Sequence, residues 1–225
     1  MKVGTDGVLL GAWAAREASR NADLQVGDVL DIGTGTGLIA LMVAQKASGA
    51  RITAIDVDAD AVAQAKENVE ASPWKDRIRV ENISLQDYTT DVRYSFILSN
   101  PPYFINSQKC PDRKRSLARH ADTLPMETLM KCAARLLSSE GRLGIILPAE
   151  AAKEADRWAA VYGLFPLSRI SIRTKSNKPV TRCILCYGMK PSGGVEETLV
   201  ELLDEDGNGS LWYRDLTSDY YLDRT

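Results

Sequence analysis

The sequence is short of the residues on which metal and thiol chemistry depend. Its 225 residues include one histidine, His120, and four scattered cysteines, of which Cys183 and Cys186 form a C-x-x-C pair. A zinc site built on such a pair needs a second pair of ligands, which the sequence lacks. Residues 181–187 predict a strand, where an odd separation points two side chains to opposite faces. We therefore predict reduced, structural cysteines and no bound metal.

Long apolar runs and a strong net charge are also absent. No apolar run approaches the roughly 18 residues of a membrane span, and no signal peptide or low-complexity tract is present, so the sequence predicts a soluble cytoplasmic protein. The net charge of −2 excludes a uniformly basic nucleic-acid-binding protein and leaves local basic patches for any such contact. Hydrophobic residues, 44% of the total, suffice for the core of one domain spanning residues 1–225. We expect this domain to be a monomer.

Short apolar segments alternate with helical patterns along most of the chain. This alternation predicts a doubly wound α/β fold with a mostly parallel sheet. Within the second helix, Asp58 is the predicted N-cap, and Val62, Ala65 and Val69 share one face. The predicted strands lie at 28–33, 51–56, 77–82, 94–99 and 142–147, and the predicted helices at 38–47, 58–71, 126–137 and 149–162.

The C-terminal part of the chain has a different pattern. Two strands are predicted at 167–173 and 181–189, joined by a polar turn that ends at Pro179. They predict an antiparallel pair that closes the edge of the sheet. Residues 204–209 form a turn cluster in the last segment.

The first predicted strand runs directly into a glycine-rich turn. Glycines at alternate positions let the backbone approach a ligand, and the last of them lets the next helix pack tightly on the strand. The G-x-G-x-G spacing differs from the G-x-G-x-x-G of dinucleotide sites. Asp31, two residues before the first glycine, would repel a pyrophosphate but suits the ammonium group of S-adenosylmethionine. The residues assigned to this cofactor are Asp31, Gly33, Thr34, Gly35 and Gly37.

A second acid supports the same cofactor. Asp56 ends the second predicted strand and follows the glycines at about the distance at which an acid meets ribose hydroxyls. We assign Asp56 and the adjoining Val57 to the ribose side of the site. Two acids and no phosphate-binding lysine favour S-adenosylmethionine over NAD or a nucleoside triphosphate.

The segment Asn100-Pro101-Pro102-Tyr103 follows the buried strand at 94–99 and predicts the reacting centre. An exocyclic amino nitrogen is a poor nucleophile because its lone pair is delocalised into the ring. Two acceptors aimed at its hydrogens favour the more nucleophilic form, and the Asn100 side chain and the Pro101 carbonyl can supply them. Pro101 and Pro102 stiffen this backbone, and Tyr103 offers a ring for base stacking. We also expect Asn100 to contact the cofactor.

These motifs resemble class I S-adenosylmethionine-dependent N-methyltransferases. More closely, the chain resembles the bacterial tRNA adenine-N6 methyltransferases that modify the adenosine 3′ of the anticodon in valine tRNA. The resemblance implies a Rossmann-like fold with a seven-stranded sheet whose C-terminal strand pair is antiparallel. It covers nearly the whole chain and is carried by residues 1–13, 30–38, 100–104, 118–120 and 216–222.

The resemblance also implies roles for the first residues. Lys2 and Thr5 belong to the segment Lys2–Asp6, which covers the methionine end of the cofactor in this family. Related chains carry a further segment before this motif, so a short native N-terminal segment is expected to precede Met1. Independently, Thr5 or Asp6 is a predicted N-cap for the helix that follows.

The adenine contact departs from the family pattern. Many such enzymes place an acid after the third strand, where it accepts from the adenine amino group. Ser84 occupies this position here, with Leu85 beside the adenine, and the nearest acid, Asp87, lies about one turn further along. A hydroxyl can still accept from an amino group, although more weakly than a carboxylate. We assign Ser84 and Leu85 to the adenine, and the residue that replaces the acid stays open.

A basic segment after the reacting centre predicts a contact with RNA phosphates. Its position beside the reacting base suits a clamp on the tRNA substrate. Lys175, Lys178 and Arg182, near the predicted hairpin tip, form a weaker second patch that is more simply explained as solvated. The residues assigned to RNA binding are Lys109, Arg113, Lys114, Arg115, Arg119 and His120.

Three alternatives share parts of this pattern. A protein-glutamine methyltransferase would present an amide with similar hydrogens to residues 100–103, but the basic segment would have no obvious use there. Guanine-N2 methylation of ribosomal RNA is a second alternative. A non-catalytic RNA-binding module is a third, and the intact Asn100 and glycine motif count against it.

Overall fold

The computed structural model describes residues 4–102 and 124–221. Lys2, Tyr103 and the whole basic segment from Lys109 to His120 therefore lie outside the described residues. The helices are α1 (Thr5–Arg20), α2 (Ala22–Val26), α3 (Leu38–Lys46), α4 (Ala59–Glu70), α5 (Met126–Leu136), α6 (Ala152–Val161) and α7 (Leu211–Thr217). The strands are β1 (Asp28–Ile32), β2 (Arg51–Asp56), β3 (Ile78–Asn82), β4 (Tyr94–Ser99), β5 (Leu137–Pro148), β6 (Phe165–Arg173), β7 (Val180–Gly188) and β8 (Glu196–Glu201).

The described strands form one sheet in the order β3-β2-β1-β4-β5-β7-β6-β8. Strands β1 to β5 are parallel, and β7 runs antiparallel to both of its neighbours, β5 and β6. The chain moves outward from β1 in one direction to β2 and β3, and in the other direction to β4 and β5. This reversal creates a crevice at the carboxyl ends of β1 and β4, where doubly wound folds bind their ligands.

The predicted fold class is confirmed, and the sheet contains one strand more than expected. The antiparallel pair β6–β7 is present, but it does not close the sheet, because β8 pairs in parallel with β6 at the edge. Residues Glu196–Glu201 carry three glutamates, and of the six only Val200 is buried. An edge strand needs no continuous apolar run, so the period-two signal of a buried strand is missing here.

Both faces of the sheet are covered, which explains the apolar runs of the central strands. On β4, Phe96 and Leu98 point into the core beneath α1 and α3, whereas Ile97 points into the core beneath α5 and α6. Cys186 lies in the first core and Cys183 in the second, so the predicted opposite orientation of the two thiols is confirmed.

Helix α1 packs unusually close to the sheet. Trp13 meets Phe96 edge-on, with ring centroids 5.9 Å apart. Beside this contact, Gly144 of β5 lies so near the Trp13 ring that a methyl group would not fit. The start of α1 lies next to the crevice, because Gly7 in its first turn is beside Asn100 at the end of β4.

The helix starts show one confirmed cap and one correction. Asp58 caps α4, since its side chain accepts from the amides of Asp60 and Ala61. At α1, the N-cap residue is Gly4, without a side-chain cap bond, so the prediction of Thr5 or Asp6 as N-cap is wrong. Asp6 is instead engaged by a distant arginine, which the local pattern could not reveal.

Candidate active site

A cavity of ≈ 930 Å³ occupies the crevice at the ends of β1 and β4. The turns after β1, β2, β3 and β4 all contribute to its wall, and Leu124 lies across from them. The volume is in the range of small-molecule sites. Of the residues assigned from sequence, the cavity wall contains Gly33, Gly35, Asp56, Val57, Ser84, Leu85, Asn100, Pro101 and Pro102.

The glycine turn is held against β2 by backbone contacts. The amides of Gly33 and Thr34 donate to the Ile55 carbonyl at 2.9 and 3.1 Å. Gly33, Gly35 and Gly37 have φ angles of +70°, +58° and +82°, a region that disfavours side chains. Gly37 is the N-cap of α3, so the helix enters directly from the turn. The glycines thus serve the turn conformation itself as well as any approach to a ligand.

Asp31 lies beneath this turn rather than on the cavity wall. It is fully buried, and its Oδ2 accepts from the Thr34 hydroxyl at 2.6 Å and from the Ala40 amide at 3.2 Å. Burial outweighs these bonds and raises the pKa of the carboxyl to about 6. Its Oδ1 has no hydrogen-bond partner among the described residues. Thr34 and Gly37 are likewise not among the residues that line the cavity.

Asp56 is engaged on both carboxylate oxygens. Oδ2 accepts from the Gly35 amide at 2.7 Å, and Oδ1 accepts from the Asp58 amide at 3.0 Å. The Asn82 side chain donates to the carbonyls of Asp56 and Val57, which fixes the turn from the third strand. Each carboxylate oxygen keeps a second lone pair for a ligand hydroxyl. Asp56 therefore links the glycine turn to the turn after β2, and its contact with ribose hydroxyls stays a prediction.

Ser84 and Asp87 form a pair on the cavity wall. The Ser84 hydroxyl donates to Asp87 Oδ2 at 2.6 Å and accepts from the Asp87 amide at 3.1 Å. The one hydroxyl proton is thereby committed, so Ser84 can offer a ligand only its remaining lone pair. Its neighbour Leu85 is buried at the same wall, which agrees with an apolar contact for a ring.

Asn100 stands at the end of β4, directly across the crevice from the glycine turn. The preceding Ser99 is buried and donates to the Ile32 carbonyl at 2.9 Å, which ties the end of β4 to the end of β1. Pro101 is buried and Pro102 is exposed. Asn100, Pro101 and Pro102 thus all line the cavity, whereas Tyr103 is not among the described residues.

Thr5 and the late hairpin lie around the rim. Thr5 is exposed at the start of α1. The β6–β7 tip lies at the carboxyl edge of the sheet, because Arg182 pairs with Pro148 at the end of β5. At this tip the Lys175 ammonium donates to the Glu205 carbonyl, and Lys178 is exposed. The second basic patch is therefore on the edge that carries the cavity, which the sequence could not show.

Sequence reasoning missed three supporting side chains. Asn82 fixes the turn after β2, Asn68 of α4 donates to the Thr36 carbonyl at 2.9 Å, and Arg182 pairs with Asp6. Each contact joins residues more than twenty positions apart through one side chain. No local pattern signals such contacts, so only the folded chain reveals them.

Within residues 4–102 and 124–221, no three His, Cys, Asp or Glu side chains are grouped so that they could hold a metal ion. In the same described part, no helix combines the length and apolar character that crossing a membrane requires.

The sequence of this chain is similar to those of known methyltransferases. The family model of the methyltransferase small domain matches residues 18–155. A Bacteroides thetaiotaomicron protein named tRNA1(Val) (adenine(37)-N6)-methyltransferase is 43% identical over 225 residues, covering 99% of this chain and 91% of that protein. A Phocaeicola vulgatus protein of the same name is 44% identical with the same coverage.

Solved structures support the fold independently. A structure of a predicted O-methyltransferase from Agrobacterium tumefaciens superposes with a TM-score of 0.72, covering 95% of this chain and 96% of that one. Its sequence is 16% identical, so the likeness concerns the fold alone.

Proposed function

Since this chain belongs to the methyltransferase small domain family, together with the bacterial tRNA1(Val) (adenine(37)-N6)-methyltransferases, we propose that it methylates adenosine N6 in tRNA. S-adenosylmethionine is the methyl donor, and the adenosine 3′ of the anticodon in valine tRNA is the acceptor. A single domain spanning residues 1–225 acts as a monomer, and a tRNA substrate places the activity in the cytoplasm.

The cavity fits this donor in its charge. Its described wall contains three aspartates, Asp56, Asp58 and Asp87, and no lysine or arginine. Such a wall suits a cationic ligand and opposes a pyrophosphate. Beneath the turn, Oδ1 of Asp31 has no partner among the described residues and is a buried acceptor that an ammonium group would satisfy. Lys2 and Thr5 are assigned to the same methionine end by family resemblance.

The adenosine end of the donor is assigned to the opposite side of the wall. Asp56 accepts from the ribose hydroxyls with the lone pairs that the backbone leaves free. Val57 is 59% exposed despite its apolar side chain, as expected for a surface that an adenine ring covers. Ser84 accepts from the adenine amino group, and Asp87 holds the Ser84 proton away from it.

Asn100 and Pro101 position the acceptor nitrogen. When bound, S-adenosylmethionine supplies an electrophilic methyl group with a good leaving group. The Asn100 side-chain carbonyl and the Pro101 backbone carbonyl accept the two N6 hydrogens, which makes the nitrogen lone pair available. Pro102 stiffens the turn, and Tyr103 stacks on the flipped base. No histidine or covalent nucleophile is needed, because the chain acts by orientation.

The tRNA contact is assigned to the basic segment. Lys109, Arg113, Lys114, Arg115, Arg119 and His120 follow the reacting centre in sequence, and they bind phosphates on either side of the target adenosine. The hairpin tip with Lys178 lies at the edge of the sheet that carries the cavity, and we assign it to the same tRNA contact.

The observation that carries the proposal is the meeting of Asn100 and Pro101 with Gly33, Gly35 and Asp56 at one cavity. The test is incubation with S-adenosylmethionine labelled on its methyl group and total tRNA from a strain that lacks the enzyme, followed by nucleoside analysis. We expect the label in N6-methyladenosine. Label in guanosine, or in a glutamine of added protein and not in tRNA, would overturn the proposal.

A further inference from the structure

An ion pair ties the first turn of α1 to strand β7. Asp6 Oδ2 accepts from Arg182 Nε at 2.8 Å, across 176 positions of sequence. Arg182 is in β7 and lies opposite Pro148, the last residue of β5. The pair therefore sits at the carboxyl edge of the sheet, where the cavity opens.

The residue after Asp6 packs beside the reacting centre. Gly7 is buried, and a methyl group built on it would lie 3.9 Å from Asn100 Nδ2 and 3.2 Å from Leu38 Cδ2. Gly7 in the first turn of α1 thus lies beside both the Asn100 side chain and Leu38 of α3, with room for little more than a methyl group. A shift of this turn would move the surface against which the Asn100 amide lies.

Stability alone does not account for the ion pair. The side chains of Arg182 and Asp6 are 39% and 34% exposed, and ion pairs of that exposure contribute little to folding. Asp6 does not cap α1 either, because Gly4 is the N-cap residue of that helix. What the pair does is join the first turn of α1 to the start of β7.

We propose that Arg182 is a positioning residue for methyl transfer, which holds Asp6 and, through Gly7, fixes the side chain of Asn100. The inference rests on the proposed function, because Asn100 is the acceptor of the N6 hydrogens. Displacements of the order of 1 Å at a reacting centre cost up to about 10²-fold in rate. A modest contact at the rim can therefore control turnover without controlling folding.

The same helix offers a matched control. Near its other end, Arg16 Nη2 pairs with Asp215 Oδ2 of α7, also at 2.8 Å. The variants Arg182→Gln and Arg16→Gln each remove one tether of α1, but only the first tether is next to Asn100. We expect Arg182→Gln to lower kcat about tenfold or more. The KM for tRNA should stay within about twofold, and Arg16→Gln should retain full kcat.

Two further variants test the route of the effect. Asp6→Asn should reproduce the loss in kcat, and combining it with Arg182→Gln should add little, since both remove one interaction. Arg182→Lys should restore part of kcat, because an ammonium can pair with Asp6 without the fixed geometry of the guanidinium. Equal losses in Arg182→Gln and Arg16→Gln would overturn the proposal, as would a raised KM for tRNA with unchanged kcat.

A readout without tRNA separates this inference from the proposed function. Backbone amide hydrogen exchange at Gly7 to Leu9 should be faster in Arg182→Gln than in wild type, and unchanged in Arg16→Gln. Unchanged exchange in both variants would overturn the tether. If the wild-type protein methylates no tRNA, the proposed function fails, while the exchange result still decides whether Arg182 orders the first turn of α1.

Discussion

The two halves of the cavity are held together in different ways. In the cofactor half, formed by the turns after β1, β2 and β3, side chains bond the backbone of the adjacent turns: Asp56 bonds the Gly35 amide, and Asn82 bonds the carbonyls of Asp56 and Val57. In the reaction half, formed by Asn100 to Pro102, the neighbours include Gly7 of α1, which Asp6 and Arg182 tether from outside.

This difference predicts that the two halves fail independently. The cofactor half contains its own cross-links and should keep its shape when the reaction half is altered. The reaction half depends on two hydrogen acceptors and on the start of a helix. Substitutions in one half should therefore change cofactor affinity, and substitutions in the other should change turnover.

The largest expected effect comes from Asn100→Ala. Removing a side chain that stabilises developing charge at a reacting centre costs about 10²–10³-fold in kcat, and we expect a loss of at least that size. The affinity for S-adenosylmethionine, measured by calorimetry, should change far less, because the cofactor half is cross-linked without Asn100. A comparable loss of kcat and of affinity for S-adenosylmethionine would instead show that Asn100 supports the whole cavity, and the distinction between the halves would fail.

The sequence could predict the cofactor half better than the reaction half, and the reason is physical. The glycine turn and Asp56 follow neighbouring strands, and Asp58 caps the helix that begins after Asp56. The strand–helix pattern of the sequence locates all three, and their places in the structure are as expected. The Asp6–Arg182 pair joins residues 176 positions apart and has no local signature. The edge strand β8 was missed because five of its six residues are not buried.

Asp31 shows a different kind of limit. Its place before the glycines predicted a direct cofactor contact, but the strand turns its side chain beneath the turn, where Thr34 and Ala40 occupy one oxygen. Strand alternation alone could have signalled this, since residues on β1 alternate between the two faces. The contact of Asp31 with an ammonium group stays a prediction, and its titration offers a test.

The second prediction concerns the tRNA contact in the basic segment. Reversing the charges of Arg113 and Arg115 to glutamate should weaken tRNA binding strongly at low salt, and the slope of log affinity against log salt should fall by roughly 2, about one for each phosphate contact. Cofactor affinity should be unchanged, since no basic residue lines the described cavity wall. Lys75→Glu, on a surface lysine that pairs with Glu70 away from the cavity, is a control for general charge effects. An equal loss in that control would reject a specific clamp.

The third prediction uses the raised pKa of Asp31, about 6 against an ordinary 3.8. The folded protein binds this proton more tightly than the unfolded chain, so the contribution of Asp31 to stability is greatest at low pH and is lost as pH rises from about 4 through 6. An ammonium group at Oδ1 would favour the carboxylate. Cofactor affinity should therefore rise with pH over the same interval, by up to about tenfold per pH unit.

Asp31→Asn is the matched variant, because an amide carbonyl can still accept from Thr34 and Ala40. Its cofactor affinity, measured by fluorescence or calorimetry on the folded protein, should be weak and independent of pH between 4 and 7. If wild type and variant show the same pH profile, Asp31 does not face the ammonium group, and the cofactor half is closed beneath the glycine turn.

The smallest expected effect tests the adenine side of the cofactor half. Because Asp87 holds the Ser84 proton, the hydroxyl can accept from a 6-amino group but cannot donate to a 6-oxo group. Wild type should therefore prefer S-adenosylhomocysteine over its inosine analogue. Ser84→Ala should weaken the adenine ligand by about fivefold, the value of one neutral hydrogen bond. Asp87→Asn should narrow the preference, since an amide can donate to Ser84 and free the hydroxyl proton to turn towards the ligand. If both variants keep the wild-type preference, adenine recognition does not depend on Ser84 and Asp87. Turnover at saturating cofactor should be unaffected in both variants, because the two halves of the cavity act separately.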